Sequence, residues 1–263
     1  MPPVTATFRF YEELNDFLPP PRRKQAFSVA CAEAATAKHM IEALGVPHTE
    51  VELILVNGES VGFGHRLRDG DRVAVYPRFE SLDVLPLLRV RPVPLREAQN
   101  GVRFLADAHL GGLARLLRMA GFDTRYDNHM DDAEIAALAE AEARTILTRD
   151  LELLKRRNVT HGCFVHALRP MAQLQEVAER LDLARLARPF SRCLECNVPL
   201  RAVDKAEVWE RLPPAVRAGQ TTFRRCEACG RVYWPGSHWR RMRAALGAAL
   251  PGNGALADQA VRE

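Results

Sequence analysis

What this chain lacks narrows its reading first. It has no run of 18 apolar residues and no N-terminal signal pattern, so a soluble, cytoplasmic protein without a membrane partner is expected. Neither sign of charge dominates: 37 Lys and Arg against 33 Asp and Glu leave +4, which by itself selects no partner. No serine sits on a recognisable nucleophile elbow, so a Ser/His/Asp triad has no support. Cysteine is scarce, six in 263 residues, yet four of them form two CxxC pairs, Cys193–Cys196 and Cys226–Cys229. In a cytoplasmic chain such pairs mean metal much more often than disulfide. Cys31 and Cys163 stand alone in apolar surroundings and read as buried thiols.

A length of 263 residues suggests roughly two domains at about 150 residues each, and a hydrophobic share of 47% is enough for a proper core. Residues 1–80 run strand, basic loop, strand, helix, strand, Asn-Gly turn and a last strand after Asp-Gly. Thr36 is the expected N-cap of the helix and Gly45 its C-terminal stop. This ββαββ order looks like a β-grasp, the ubiquitin-like fold of small sulfur carriers. Those carriers end in a free Gly-Gly tail, whereas here the chain continues through VAVYPRFESLDVLP. Sulfur transfer is therefore not expected. The domain reads as a docking module for a protein partner or for positioning RNA, with a purely structural extension as the alternative. Pro86, Pro92 and Pro94 mark 81–100 as a linker.

From 101 to 187 short apolar runs alternate with helical periods, which argues for a parallel sheet flanked by helices. Acidic residues fall at telling places. Asp107 follows the run VRFLA, Asp150 follows TILT, and Asp131, Asp132 and Glu134 open the helix between them. Ligands of open α/β sheets bind outside the carboxyl ends of the strands, and carboxylates gathered there call for a hard divalent cation such as magnesium or manganese. A metal held by Asp107, Glu134 and Asp150, with Asp131, Asp132 and Glu152 as helpers, would activate water and hold phosphate oxygens. Arg115, Arg118, Arg149 and Lys155 lie near in sequence and would neutralise phosphates. The competing reading makes Asp131, Asp132 and Asp150 simple helix caps.

Residues 188–243 change character, with twelve Lys and Arg against five Asp and Glu, a local excess of seven positive charges. Such an excess favours polyanions, although a solvated arginine-rich face is the plain alternative. CLEC and CEAC have the spacing of zinc knuckles, and four thiolates make a closed structural site. A thioredoxin-like redox role fits two matched pairs poorly. Arg192, Arg201, Arg224, Arg225, Arg231, Arg240 and Arg241 are interleaved with Phe190, Phe223, Tyr233, Trp234 and Trp239. That mixture suits phosphate contact and base stacking on single-stranded RNA, or else the rings are the ribbon's small core. Residues 240–263 offer a short helix and then a tail, with 244–263 assigned to the tail.

The runs FLADAHLGGLARLLRMAGFDTRY, TILTRDLELLKRR, PFSRCLECNVPL and FRRCEACGRVYWPGSHWRRM together resemble the Mut-seven C-terminal ribonuclease family. The resemblance covers all but the tail. It implies a PIN-like nuclease domain, a zinc ribbon and a ubiquitin-like domain in front, with metal-dependent RNA cleavage. On that family's motif the first strand-end acid is Asp107 and the acid of the TRD run is Asp150. Glu134, with Asp132 close behind, takes the helix-borne place, and Glu152 the fourth. The alternative from another class is a non-catalytic RNA-binding adaptor, working on ribosomes or in a degradation complex; DNA cleavage would use the same chemistry.

Overall fold

Alternating apolar residues make β1 (Val4–Phe10) a strand with one buried face, carrying Ala6, Phe8 and Phe10. It pairs antiparallel with β2 (Phe27–Cys31). The helix α1 (Ala37–Ala43) starts where Thr36 Oγ1 accepts the His39 N–H at 3.2 Å, and it buries Ala37, Met40 and Ile41. A hairpin of β3 (Leu53–Val56) and β4 (Glu59–Val61) turns at Asn57–Gly58, and β5 (Arg72–Tyr76) returns parallel to β1. The resulting order is β2-β1-β5-β3-β4, around a core that includes Phe8, Phe10, Leu14, Ile41, Ile54 and Val75. There is thus one strand more than the ββαββ expectation. Glu59–Val61 has no buried residue, so its sequence carries no alternation to announce it.

The structure, a computed structural model, describes residues 4–78, 87–90 and 102–253. The linker expected over 81–100 lies outside the described residues except for 87–90, and so do the last ten residues of the expected tail. Among the described residues no helix is long and apolar enough to cross a membrane.

Beyond residue 102 come β6 (Arg103–Ala106), α2 (Gly111–Met119), β7 (Asp123–Tyr126), α3 (Asp132–Glu142), β8 (Thr145–Thr148), α4 (Leu151–Lys155), β9 (Gly162–Phe164) and α5 (Pro170–Arg180). In one unit β6 pairs in parallel with β7, and in the other β8 pairs in parallel with β9. All four residues of β8 are buried, as a parallel strand with helices packed around it requires. The expected α/β class, a parallel sheet flanked by helices, is what the chain forms. The cysteine-bearing part follows with β10 (Leu200–Val203), α6 (Lys205–Val208), α7 (Pro214–Gly219), β11 (Phe223–Cys226), β12 (Val232–Tyr233) and α8 (Ser237–Ala249). Its sheet is antiparallel, in the order β10-β11-β12.

The helix α8 carries ordered chain past residue 243, where the tail was expected to begin. Leu246, Ala249 and Leu250 share a helical face and are buried, and Asn253 Nδ2 donates to the carbonyls of Ala184 at 2.6 Å and Ala187 at 3.2 Å. By their contacts the residues form two compact units, 1–101 with 132–164 and 102–131 with 165–263.

Candidate metal centre and nuclease residues

Each CxxC pair forms a knuckle, and the two are built alike. The N–H of Cys193 donates to Val198 O and the N–H of Asn197 to Cys193 O; in the second knuckle Cys226 donates to Arg231 O and Gly230 to Cys226 O. The tight turn needs a left-handed backbone at its fifth residue, which Asn197 (φ 61°) and Gly230 (φ 70°) supply. The four Sγ atoms lie within 4.8 Å of one another, and Cys193 Sγ is 3.8 Å from Cys229 Sγ. A tetrahedral zinc with bonds of ~2.3 Å calls for sulfurs ~3.8 Å apart. All six cysteines are free thiols, so the four are available as ligands, and the cluster fits a zinc ion. Burial works against a Cys193 thiolate, but the Tyr233 hydroxyl at 3.2 Å and the N–H groups of Cys196 and Glu195 outweigh it, bringing the thiol down to about 7. The Cys229 thiol, with burial and Cys193, pushes Cys196 up to about 12. One proton thus leaves readily from a set that ligation would deprotonate throughout.

The first knuckle is fastened to β7 and to the end of α2. Asn197 Nδ2 donates to Asp123 Oδ1 at 2.7 Å, and its Oδ1 accepts the Thr124 N–H at 3.0 Å. Arg118 donates to the carbonyls of Thr124 (2.9 Å), Leu194 (3.1 Å) and Glu195 (2.7 Å). Its side chain is buried, and burial lowers its pKa although Glu195 and the nearby cysteines oppose that. Arg118, expected to contact phosphate, instead spends three of its five N–H donors on these backbone carbonyls under cover. Arg192 is also occupied, donating to Asn197 O at 2.7 Å with Asp123 3.8 Å away.

The acidic residues are each positioned by local structure. Asp107 follows β6, is buried, and accepts the N–H of Ala108, while its carbonyl accepts from Leu110. The loop after it is braced by Tyr126, whose hydroxyl donates to Ala108 O at 3.0 Å. A side chain at Gly111 would meet that ring at 2.8 Å, which explains a glycine directly after the Asp107 turn. Asp150 follows β8 and caps α4, accepting the Glu152 N–H at 2.8 Å, while its own N–H donates to Thr148 Oγ1 at 2.9 Å. Asp132 and Glu134 stand in the first turn of α3. Asp132 lies 3.9 Å from Arg156, and Glu152 accepts from Lys155 Nζ at 2.8 Å.

Most of the remaining cations are exposed. Arg115 and Arg231 both approach Glu195, at 3.0 and 3.7 Å. Exposed pairs of this kind contribute only ~0–1 kcal/mol, so a phosphate can replace the carboxylate. Arg149, Arg224 and Arg240 are exposed and Arg225 is half-buried. Among the rings, Phe223 is core, Trp234 packs on the edge of that core, and Phe190 and Trp239 form a half-exposed pair.

A polar cluster that the sequence reading passed over follows β9. Glu176 accepts the N–H groups of His166 and Ala167 and lies 3.0 Å from His166 Nδ1. Burial would raise its pKa, but those bonds prevail and hold it below the usual carboxylate range. Glu176 lies ten residues beyond His166 on a different element, so no motif links them.

Comparison with known families agrees with this architecture. A family model described as the Mut7-C RNAse domain matches residues 102–246, and one described as Mut7-C ubiquitin matches residues 3–83. No curated protein and no solved structure matches.

Proposed function

The chain belongs to the Mut7-C RNase domain family, and from that premise we propose that it is a metal-dependent ribonuclease in which Asp107, Glu134 and Asp150 hold a magnesium or manganese ion. A carboxylate-held divalent ion lowers the pKa of bound water and neutralises charge on the scissile phosphate. The observation that carries this reading is the family match, taken together with two acids at the carboxyl ends of parallel strands. Asp107 and Asp150 each commit an oxygen to a backbone N–H, which fixes their orientation before a metal arrives. Asp132 and Glu152 act as outer carboxylates. Arg115, Arg149 and Lys155 take up phosphate charge, and the zinc ribbon grips single-stranded RNA through Arg224, Arg225, Arg231, Arg240 and Trp234. The protein works in the cytoplasm, with the ubiquitin-like domain offering a surface to a protein partner.

The pairing of Asp132 with Arg156 and of Glu152 with Lys155 favours a second reading, a non-catalytic RNA-binding adaptor whose acids are satisfied without a metal. Replacing Asp107 and Asp150 with Asn decides between them. Outer partners of a metal site alone are worth ~10–100-fold, so loss of two ligands should lower manganese-supported cleavage of single-stranded RNA by more than ~100-fold while zinc content and RNA affinity stay unchanged. Cleavage that survives the double change refutes the assigned site. Calorimetry that detects no manganese binding to the zinc-loaded parent chain supports the adaptor.

A further inference from the structure

The cysteine-bearing part of the chain contains a cavity of about 950 Å³, at the upper end of the ~300–1,000 Å³ typical of small-ligand sites. Aromatic rings form much of its wall. Phe190 and Trp239 stand as a tilted pair with centroids 5.0 Å apart, and Tyr233 and Trp234 contribute from β12 and the turn after it. All four are half-buried and so keep accessible surface. Arg224, exposed on β11, and Arg243 complete the lining, and the Arg243 guanidinium lies 5.4 Å from the centre of the Trp239 ring. A guanidinium over an indole holds the ring in place while keeping its own charge.

The chemistry of this wall selects its occupant. A purely apolar ligand would gain nothing from the guanidiniums, and an acidic peptide would gain little from the rings. A polymer with flat π faces and a negative charge at every step uses both. Single-stranded nucleic acid is such a polymer, whereas a duplex hides its base faces in its own stack. Charge complementarity points the same way, since residues 188–243 carry twelve Lys and Arg against five Asp and Glu. We propose that this cavity receives unstacked bases of single-stranded RNA, stacked on Trp239 and Phe190, with the flanking phosphates held by Arg224 and Arg243. The choice of RNA as the polymer rests on the ribonuclease reading; the stacking site itself does not.

The test uses the full-length, zinc-loaded chain with Asp107→Asn and Asp150→Asn, so that nothing is cut. Fluorescence anisotropy compares a labelled oligouridine with an RNA duplex of equal length at fixed salt. Trp239→Ala should weaken oligouridine binding about tenfold and leave duplex binding unaltered. Trp239→Phe, which keeps a stacking face, should recover most of the loss. Arg224→Ala should reduce the salt dependence of binding by about one counterion. Retained zinc in each variant excludes misfolding. Equal oligouridine affinity for the parent and Trp239→Ala chains would overturn the proposal, as would loss in Trp239→Ala with no recovery in Trp239→Phe. Either result leaves the cleavage reading intact, and failure of the unmutated chain to cleave leaves the stacking site intact.

Discussion

Arg118 and Arg115 sit one helical turn apart on α2, and in the sequence nothing separates them. In space they differ completely, because Arg115 is exposed beside Glu195 while Arg118 is covered and donates to three carbonyls, two of them more than 70 residues away. A side chain's charge is legible in a sequence, but its burial depends on which distant segment closes over it. Removing a partner from a buried carbonyl costs ~1–3 kcal/mol, so Arg118→Ala should destabilise the fold by roughly 2–4 kcal/mol in urea unfolding. Arg118→Lys should recover only part, since an ammonium cannot span three acceptors with a guanidinium's fork. RNA affinity per folded molecule should stay unchanged; a selective loss of affinity without loss of stability would return Arg118 to the phosphate contacts. Asp107 and Asp150 show the opposite case. Their placement at strand ends was readable, and each accepts a backbone N–H just beyond its strand, a bond open to a helix cap and to a metal ligand alike.

The knuckles were the most legible elements, because four thiols at CxxC spacing leave little but a tetrahedral metal to satisfy them. The insertion between β10 and β11 was not. Lys205–Val208 and Pro214–Gly219 are too short to show a helical period, even though Asp204 and Glu207 form a capping box at the start of α6. Nor could spacing disclose that Asn197 reaches β7. Through that contact, a metal held by the knuckles would fasten more than its own ribbon. When zinc is stripped by a chelator, the four cluster thiols should become reactive while Cys31 and Cys163, buried elsewhere, stay protected. Hydrogen exchange should quicken at Cys193, Asn197, Cys226 and Gly230, and also at Thr124, whose N–H donates to Asn197. Protection that persists at Thr124 after the metal has gone would show that the knuckle is not what holds β7.

At the scale of the molecule, the sequence divides near residue 80, but contacts join the ubiquitin-like domain to residues 132–164 in one compact unit. The joint is made by His48, Thr49 and Glu50, a single buried turn between α1 and β3. His48 Nδ1 lies 2.7 Å from Glu42 Oε1 and Nε2 lies 2.8 Å from Val159 O, while the Glu50 carboxylate accepts the Phe164 N–H. Phe17 meets the Phe164 ring edge-on at 5.6 Å. Buried polar groups survive only with partners, so this is an interface that both sides need. It also leads to an acid proposed to act in catalysis: Phe164 is registered opposite Thr148 in the β8–β9 pair, and Thr148 Oγ1 accepts the Asp150 N–H. A domain 100 residues upstream therefore braces the strand pair from which Asp150 projects. Glu50→Ala leaves the Phe164 amide without that acceptor, at a cost of ~1–3 kcal/mol. The expected result is faster hydrogen exchange at Cys163 and Phe164, together with a fall in RNA cleavage at saturating substrate. Oligouridine affinity should hold, because the ribbon's cavity lies in the other unit. Unchanged exchange at Phe164 would reduce the N-terminal domain to a tether, with no part in holding the acid.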